Sequence, residues 1–176
     1  MNKKLTVVNL FCGPGAGKTT SRSQIFSYLK WHNINCEEVA EYAKKLTFQK
    51  NFKQLKNQTY VFAKQHNSIF MVENDVDVVV TDSPLLLSIV YDERKDELFK
   101  KYVIQTHNEY NNINIYINRV KPYHKVGRSQ SEAESKIIDK KVLSLLNELN
   151  EPYQIVNGTY EDMFEYSKEL VLKLKK

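Results

Sequence analysis

An apolar run, Leu5 to Phe11, passes directly into the glycine-rich stretch Cys12-Gly-Pro-Gly-Ala-Gly-Lys-Thr-Thr20. Few chain geometries accept this order. The run reads as a buried strand, the glycines as a tight bend, and the spacing of Ile25, Phe26 and Leu29 as the inner face of a helix that follows at once. A chain that bends sharply from strand to helix can aim several backbone N–H groups into one concavity, where phosphate oxygens accept them. Gly13, Gly15 and Gly17 lack a Cβ and let that backbone approach closely. The expectation is a loop for a nucleoside triphosphate, with Gly13, Pro14, Gly15, Ala16, Gly17, Lys18, Thr19 and Thr20 around the phosphates. Lys18 would reach the β- and γ-phosphates, and the Thr19 hydroxyl would ligate Mg²⁺. The usual pattern places its first glycine where this chain has Cys12, so a side chain must be accommodated there.

The remaining apolar segments alternate with helical ones, which predicts an α/β fold with a parallel sheet covered on both faces. The expected strands are 5–11, 36–39, 76–81, 112–117 and 153–157. Val78-Val79-Val80 is short and β-branched, as a strand buried on both faces should be. Ser131 and Glu134 have the capping-box offset ahead of a helical stripe from Ile137 to Leu149, and Thr159 with Asp162 repeats the signal before Met163 and Leu170. A long helix is expected over about 52–72. With 176 residues the chain fits a single domain, 1–176. No apolar run approaches a bilayer-spanning length, so a soluble, cytoplasmic protein without membrane contact is expected. Cys12 and Cys36 show neither metal nor disulfide spacing. The net charge of +5 suits an anionic ligand or a nucleic acid but comes mostly from dispersed lysines. Arginines occur only at 22, 94, 119 and 128.

Three further segments carry candidate chemistry. Asp82 ends the third strand in Thr81-Asp82-Ser83-Pro84, where a carboxylate can hold Mg²⁺ directly or through water, or instead cap the following turn. Glu41 follows the second strand, placed to take a proton from an acceptor hydroxyl or to begin a solvated helix. Whether Glu41 or Asp82 acts as the base stays open at this point. Between 119 and 130, Arg119, Lys121, His124, Lys125 and Arg128 form either a mobile lid whose cations cover the charge of phosphoryl transfer or a basic surface loop. Asn57, Gln58, Tyr60, Phe62, Gln65 and His66 combine amides and rings that suit a nucleobase, with core packing as the alternative.

These residues together resemble the small phosphate-loop kinases, particularly the nicotinamide-riboside-kinase-like ATPase/kinase group that includes many phage-encoded proteins. The resemblance rests on Gly13-Pro-Gly-Ala-Gly-Lys-Thr, Glu41-Tyr-Ala-Lys, Val80-Thr-Asp-Ser-Pro-Leu-Leu-Leu, and Asn118-Arg-Val-Lys-Pro-Tyr leading to Gly127-Arg128. It implies a three-layer P-loop NTPase fold with the first of five parallel strands central, ATP as donor, and a lid closing over 119–130. It also implies an adenine site near Asn157-Gly158-Thr159, and Glu41 as the base by likeness to deoxynucleoside kinases. The expected activity is transfer of the γ-phosphoryl of Mg-ATP to a nucleoside, a nucleotide or a modified nucleotide in DNA, with Lys18, Glu41, Asp82, Arg119 and Arg128 as catalytic residues and Thr19 and Asp82 at the metal. The alternative is a P-loop ATPase or nucleotide-dependent switch that binds a protein or nucleic acid. The acceptor and the oligomeric state are not readable from the residues.

Overall fold

A computed structural model describes residues 4–124 and 130–175. The expected Arg128 therefore lies outside the described residues, as do Lys125 and Gly127. Five strands, β1 (Thr6–Phe11), β2 (Cys36–Val39), β3 (Val78–Thr81), β4 (Asn111–Asn118) and β5 (Tyr153–Asn157), form one sheet. They run parallel in the order β2-β3-β1-β4-β5, which puts β1 at the centre. Among the described residues eight helices connect and flank them: α1 (Lys18–Trp31), α2 (Tyr42–Phe48), α3 (Phe52–Lys56), α4 (Gln58–Phe70), α5 (Leu87–Tyr91), α6 (Glu97–His107), α7 (Glu132–Glu148) and α8 (Tyr160–Leu174).

With right-handed crossovers, the step from β1 out to β2 carries α1 to one face, while the returning steps carry α4, α5, α6 and α7 to the other. The packing follows: α1 lies against α8, and α5 lies against α4, α6 and α7. Val7, Val8, Leu10, Val78, Val79, Val80, Ile115 and Ile117 are buried between the two helical layers, which explains the uninterrupted apolar character of β1 and β3. No helix among the described residues is long and apolar enough to cross a membrane.

The capping signals at Ser131 and Thr159 are realised. The Ser131 hydroxyl accepts from the Glu134 N–H while the Glu134 carboxylate accepts from the Ser131 N–H, and the Thr159 side chain accepts from the Asp162 N–H. The single helix expected over 52–72 is instead two, α3 and α4. Asn57 breaks the run: its backbone is non-helical, and its side chain accepts from the Tyr60 N–H to start α4.

The sheet interior also holds polar groups. Asn9, at the middle of β1, donates to the side-chain oxygens of Asn112 at 2.8 Å and Asn114 at 3.0 Å, and Asn114 donates to Glu151 at 3.0 Å. Beside them, at the strands' N-terminal edge, the almost fully buried His107 sets its Nε2 3.4 Å from Glu151 Oε2. Burial pushes the His107 imidazole below its usual value of 6.5 despite the pull of Glu151. The unfolded chain therefore takes up this proton first as the pH falls. The contribution is fully present above pH 6.5 and is lost on acidification through and below it. Urea unfolding should show a lower midpoint at pH 5.5 than at pH 7.5, roughly the span over which a histidine titrates, and the loss should be shallower in His107→Gln.

Candidate functional site

In a parallel sheet every strand delivers its C-terminal end to the same edge, and the chain segments flanking the P-loop gather there. β1 runs into residues 12–17, β2 into Glu41, β3 into Asp82, β4 into Arg119 and β5 into Gly158.

The bend after β1 has Gly15 and Gly17 at φ of 81° and 108°, a region that side chains with a Cβ rarely enter. Gly17 is also the N-cap of α1, and being glycine it supplies no side-chain acceptor; the first turn of α1 carries no acidic residue. The leading amides of α1 and the positive end of its dipole are thus left for an external anion. Lys18 is buried within the bend, where its ammonium donates to the carbonyls of Cys12 at 2.8 Å and Gly13 at 3.2 Å. Burial acts to depress its pKa, but the acidic groups around it, Cys12, Glu41, Tyr91 and Asp82, outweigh burial and hold it above the usual lysine value. The Cys12 side chain points into the core cluster, which is why the loop tolerates it. Burial, opposed by Lys18, pushes the thiol up to about 11, so it stays protonated and unreactive at neutral pH.

Asp82 is 1% exposed and does not act as a turn cap. Its Oδ2 accepts from the Thr19 hydroxyl at 2.7 Å, and its Oδ1 accepts from Arg22 Nη1 at 2.7 Å and from the Glu41 N–H at 3.1 Å. Arg22 reaches on to Glu38 Oε2 at 3.0 Å. One carboxylate thereby ties α1 and its phosphate-loop threonine to the ends of β2 and β3.

A second cluster closes the loop from the α7 side. Asp139 Oδ1 accepts from the Gly13 N–H at 2.5 Å, and its Oδ2 pairs with Arg119. Arg119 also donates to Ser135 Oγ at 2.7 Å, and the Ser135 hydroxyl donates to the Pro14 carbonyl. The backbone contact is close: a Cβ on Gly13 would lie 2.5 Å from the Ser135 carbonyl oxygen. On the opposite side, a Cβ on Gly158 would lie 2.9 Å from the Ala16 carbonyl oxygen, which puts the segment expected to meet adenine directly against the loop.

Beyond the loop opens a cavity of about 460 Å³. Gly15, Gly17, Lys18, Thr19 and Thr20 line one end, Glu41, Ser83, Ser88 and Tyr91 also line it, and Lys44, Phe52, Leu55, Lys56, Gln58 and Val61 come from α2, α3 and α4. Glu41 and Asp82 thus separate. Glu41 lines the cavity, whereas Asp82 is sealed below it with its oxygens occupied. Arg119 does not line the cavity and reaches the loop through Asp139 and Ser135. Gln65, considered above for base reading, is buried and structural: it accepts from the Tyr42 N–H and donates to Thr81. His66 is bonded to the Tyr110 hydroxyl at 3.0 Å.

Residues 7–162 match a known family described as an AAA domain (AAA_28). The chain belongs to that family. Among solved structures it is similar to one titled "Crystal structure of NadR protein in complex with NR", with a TM-score of 0.66 at 14% identity, over 96% of this chain and 51% of that one. The chain thus spans about half the length of that protein, and the likeness shows the P-loop NTPase fold, a five-stranded parallel sheet flanked by helices. No curated protein matches the sequence. At the level of the AAA-domain family, nucleotide binding is supported.

Such a fold implies Mg-ATP, and the donor set suits it. Thr19 offers a hard hydroxyl oxygen at the cavity with the Asp82 carboxylate behind it, so the expected direct role of Asp82 gives way to one through Thr19, while among the described residues no group of three or more His, Cys, Asp or Glu could cage a metal by itself. A magnesium ion here would therefore share its shell with phosphates and water, as that ion ordinarily does.

Arg22, Ser135 and Asp139 were not picked out from the sequence as site residues. Arg22 left a faint signal, one turn after Lys18 on the same helix face. Removing it strands the buried Asp82 carboxylate, so Arg22→Met should cost about 3–5 kcal/mol in denaturant unfolding. Gly13→Ala should force α7 off the loop. The expected results are a cost of about 1–3 kcal/mol in the same assay and weaker binding of a fluorescent ATP analogue than in the unaltered protein.

Proposed function

We propose that this protein is a kinase that passes the γ-phosphoryl of ATP to the hydroxyl of a small acceptor of the nucleoside or nucleotide class. The observation that carries the reading is the cavity shared by the phosphate-loop residues and Glu41. Glu41 lines that cavity together with Lys18 and Thr19, while Asp82 is withdrawn into the structural network. The resemblance to nicotinamide-riboside-kinase-like proteins and the likeness to the NadR fold with bound NR support a nucleoside-type acceptor.

In this reading the amides of residues 13–19 and the Lys18 ammonium hold the triphosphate. Mg²⁺, when bound, neutralises charge on the β- and γ-phosphates. Thr19 would hold the ion, and Asp82 orients Thr19. Glu41 accepts the proton of the acceptor hydroxyl as the acceptor oxygen bonds to the γ-phosphorus, while the bond from that phosphorus to the β–γ bridging oxygen breaks and ADP leaves. Arg119 acts through Asp139 to set the loop backbone. Arg128 keeps its expected role over the transferring charge. The domain is proposed to be a single unit, with Glu41 as base in preference to Asp82.

The test uses ATP labelled at the γ-phosphate and a panel of nucleosides, nucleotides and oligonucleotides. Label should move to one acceptor class. Lys18→Ala should lower that transfer at least about a hundredfold, with an unchanged circular dichroism spectrum. Full transfer by Lys18→Ala, or label released only to water, rejects the kinase reading; the second outcome favours the ATPase or switch.

A further inference from the structure

The wall of the cavity contributed by α2 and α3 has a composition unlike the rest of the chain. From Tyr42 to Val72 the sequence holds Lys44, Lys45, Lys50, Lys53, Lys56 and Lys64 but not one Asp or Glu. Two of these, Lys44 and Lys56, line the cavity next to Phe52 and Leu55. Among the described residues neither makes an ion pair or a side-chain hydrogen bond. The acids that share the cavity do not cancel them. Glu41 lies within the field of Lys18 and helps to raise its pKa, which leaves the exposed Glu93 as the other carboxylate on the described walls.

A neutral nucleoside would leave both ammonium groups without a counter-charge. A phosphate ester supplies that counter-charge, in charge-assisted bonds stronger than neutral ones, while Phe52, Leu55 and Val61 on the same wall offer apolar surface to a base. Lys44 stands one helical turn beyond Glu41, so an acceptor reaching Glu41 with its hydroxyl lies within the same enclosure as these cations. We infer that the acceptor is a nucleotide that already carries a phosphate, as a monoester or a diester, and that Lys44 and Lys56 bind that phosphate and set this specificity. The inference rests on the cavity being the acceptor site.

Equilibrium binding by the full chain separates this inference from the kinase reading. In the presence of a non-hydrolysable ATP analogue, three probe sets are titrated: the four deoxynucleosides, their 5′-monophosphates, and a mixed-sequence oligonucleotide with a free 5′-hydroxyl. The monophosphates or the oligonucleotide should bind at least about tenfold more tightly than the nucleosides, and the advantage should shrink as salt is raised. Whichever of the two binds identifies the source of the phosphate. The Lys44→Gln/Lys56→Gln double variant should abolish the advantage, whereas Lys45→Gln/Lys53→Gln, which removes the same charge away from the cavity lining, should keep it. The inference is overturned if nucleosides bind as tightly as phosphorylated probes, if no probe binds, or if the cavity variant keeps the advantage. Failure of the phosphate loop itself registers elsewhere, as loss of affinity for the ATP analogue.

Discussion

The carboxylate of Asp82 receives hydrogen bonds from Thr19, Arg22 and the backbone of Glu41, and the geometry of the site depends on it. A buried carboxylate is costly unless its charge is paired and its lone pairs are occupied. Here the three donors come from the start of α1, from the next turn of α1 and from the end of β2. Satisfying one charge therefore aligns the magnesium-ligand candidate, the helix behind the phosphate loop and the carboxylate proposed as base. Arg22 supplies the opposite charge and donates from Nε to Glu38, which anchors the network to the edge strand.

The phosphate loop has a complementary support on its other flank. Its first amide, at Gly13, is held by Asp139, and its Pro14 carbonyl by Ser135, so α7 serves as a backing plate for the loop. Arg119 links both of these residues, and it lies at the beginning of the segment that ends in α7. The end of β4, α7 and the loop backbone are thus one hydrogen-bonded unit. The amides of the first turn of α1, by contrast, have no side-chain cap and no acidic residue in that turn among the described residues. The rigid part of the loop is fixed by protein acceptors and the open part is reserved for an anion, a division of labour that preorganises the site without filling it.

Much of the fold was legible in local patterns. The strand-to-helix bend at 11–18, the capping box at Ser131, the cap at Thr159 and the run Val78 to Val80 each state their structure within a few residues, because steric freedom, cap geometry and burial act at short range. The helix over 52–72 was misread as continuous. Asn57 sits at a position where helix propensity only mildly disfavours it, yet its side chain can cap a new helix, and short-range periodicity does not separate these outcomes. Asn9, within an otherwise apolar strand, likewise gives no hint of its partners Asn112 and Asn114 more than one hundred residues away.

For the candidate site the division is sharper. From the residues alone came the presence of an anion-binding bend, the identity of Lys18 and Thr19, and the delivery of Glu41 and Asp82 to one edge of a parallel sheet, since strand ends in such a sheet must converge. Folding alone chose which carboxylate faces the cavity and which is sealed beneath it, paired Arg22 with Asp82 across 60 positions, and set Asp139 against Gly13 across 126. Electrostatic pairing depends on distance in space and on burial, and neither quantity is written in the spacing of residues along the chain.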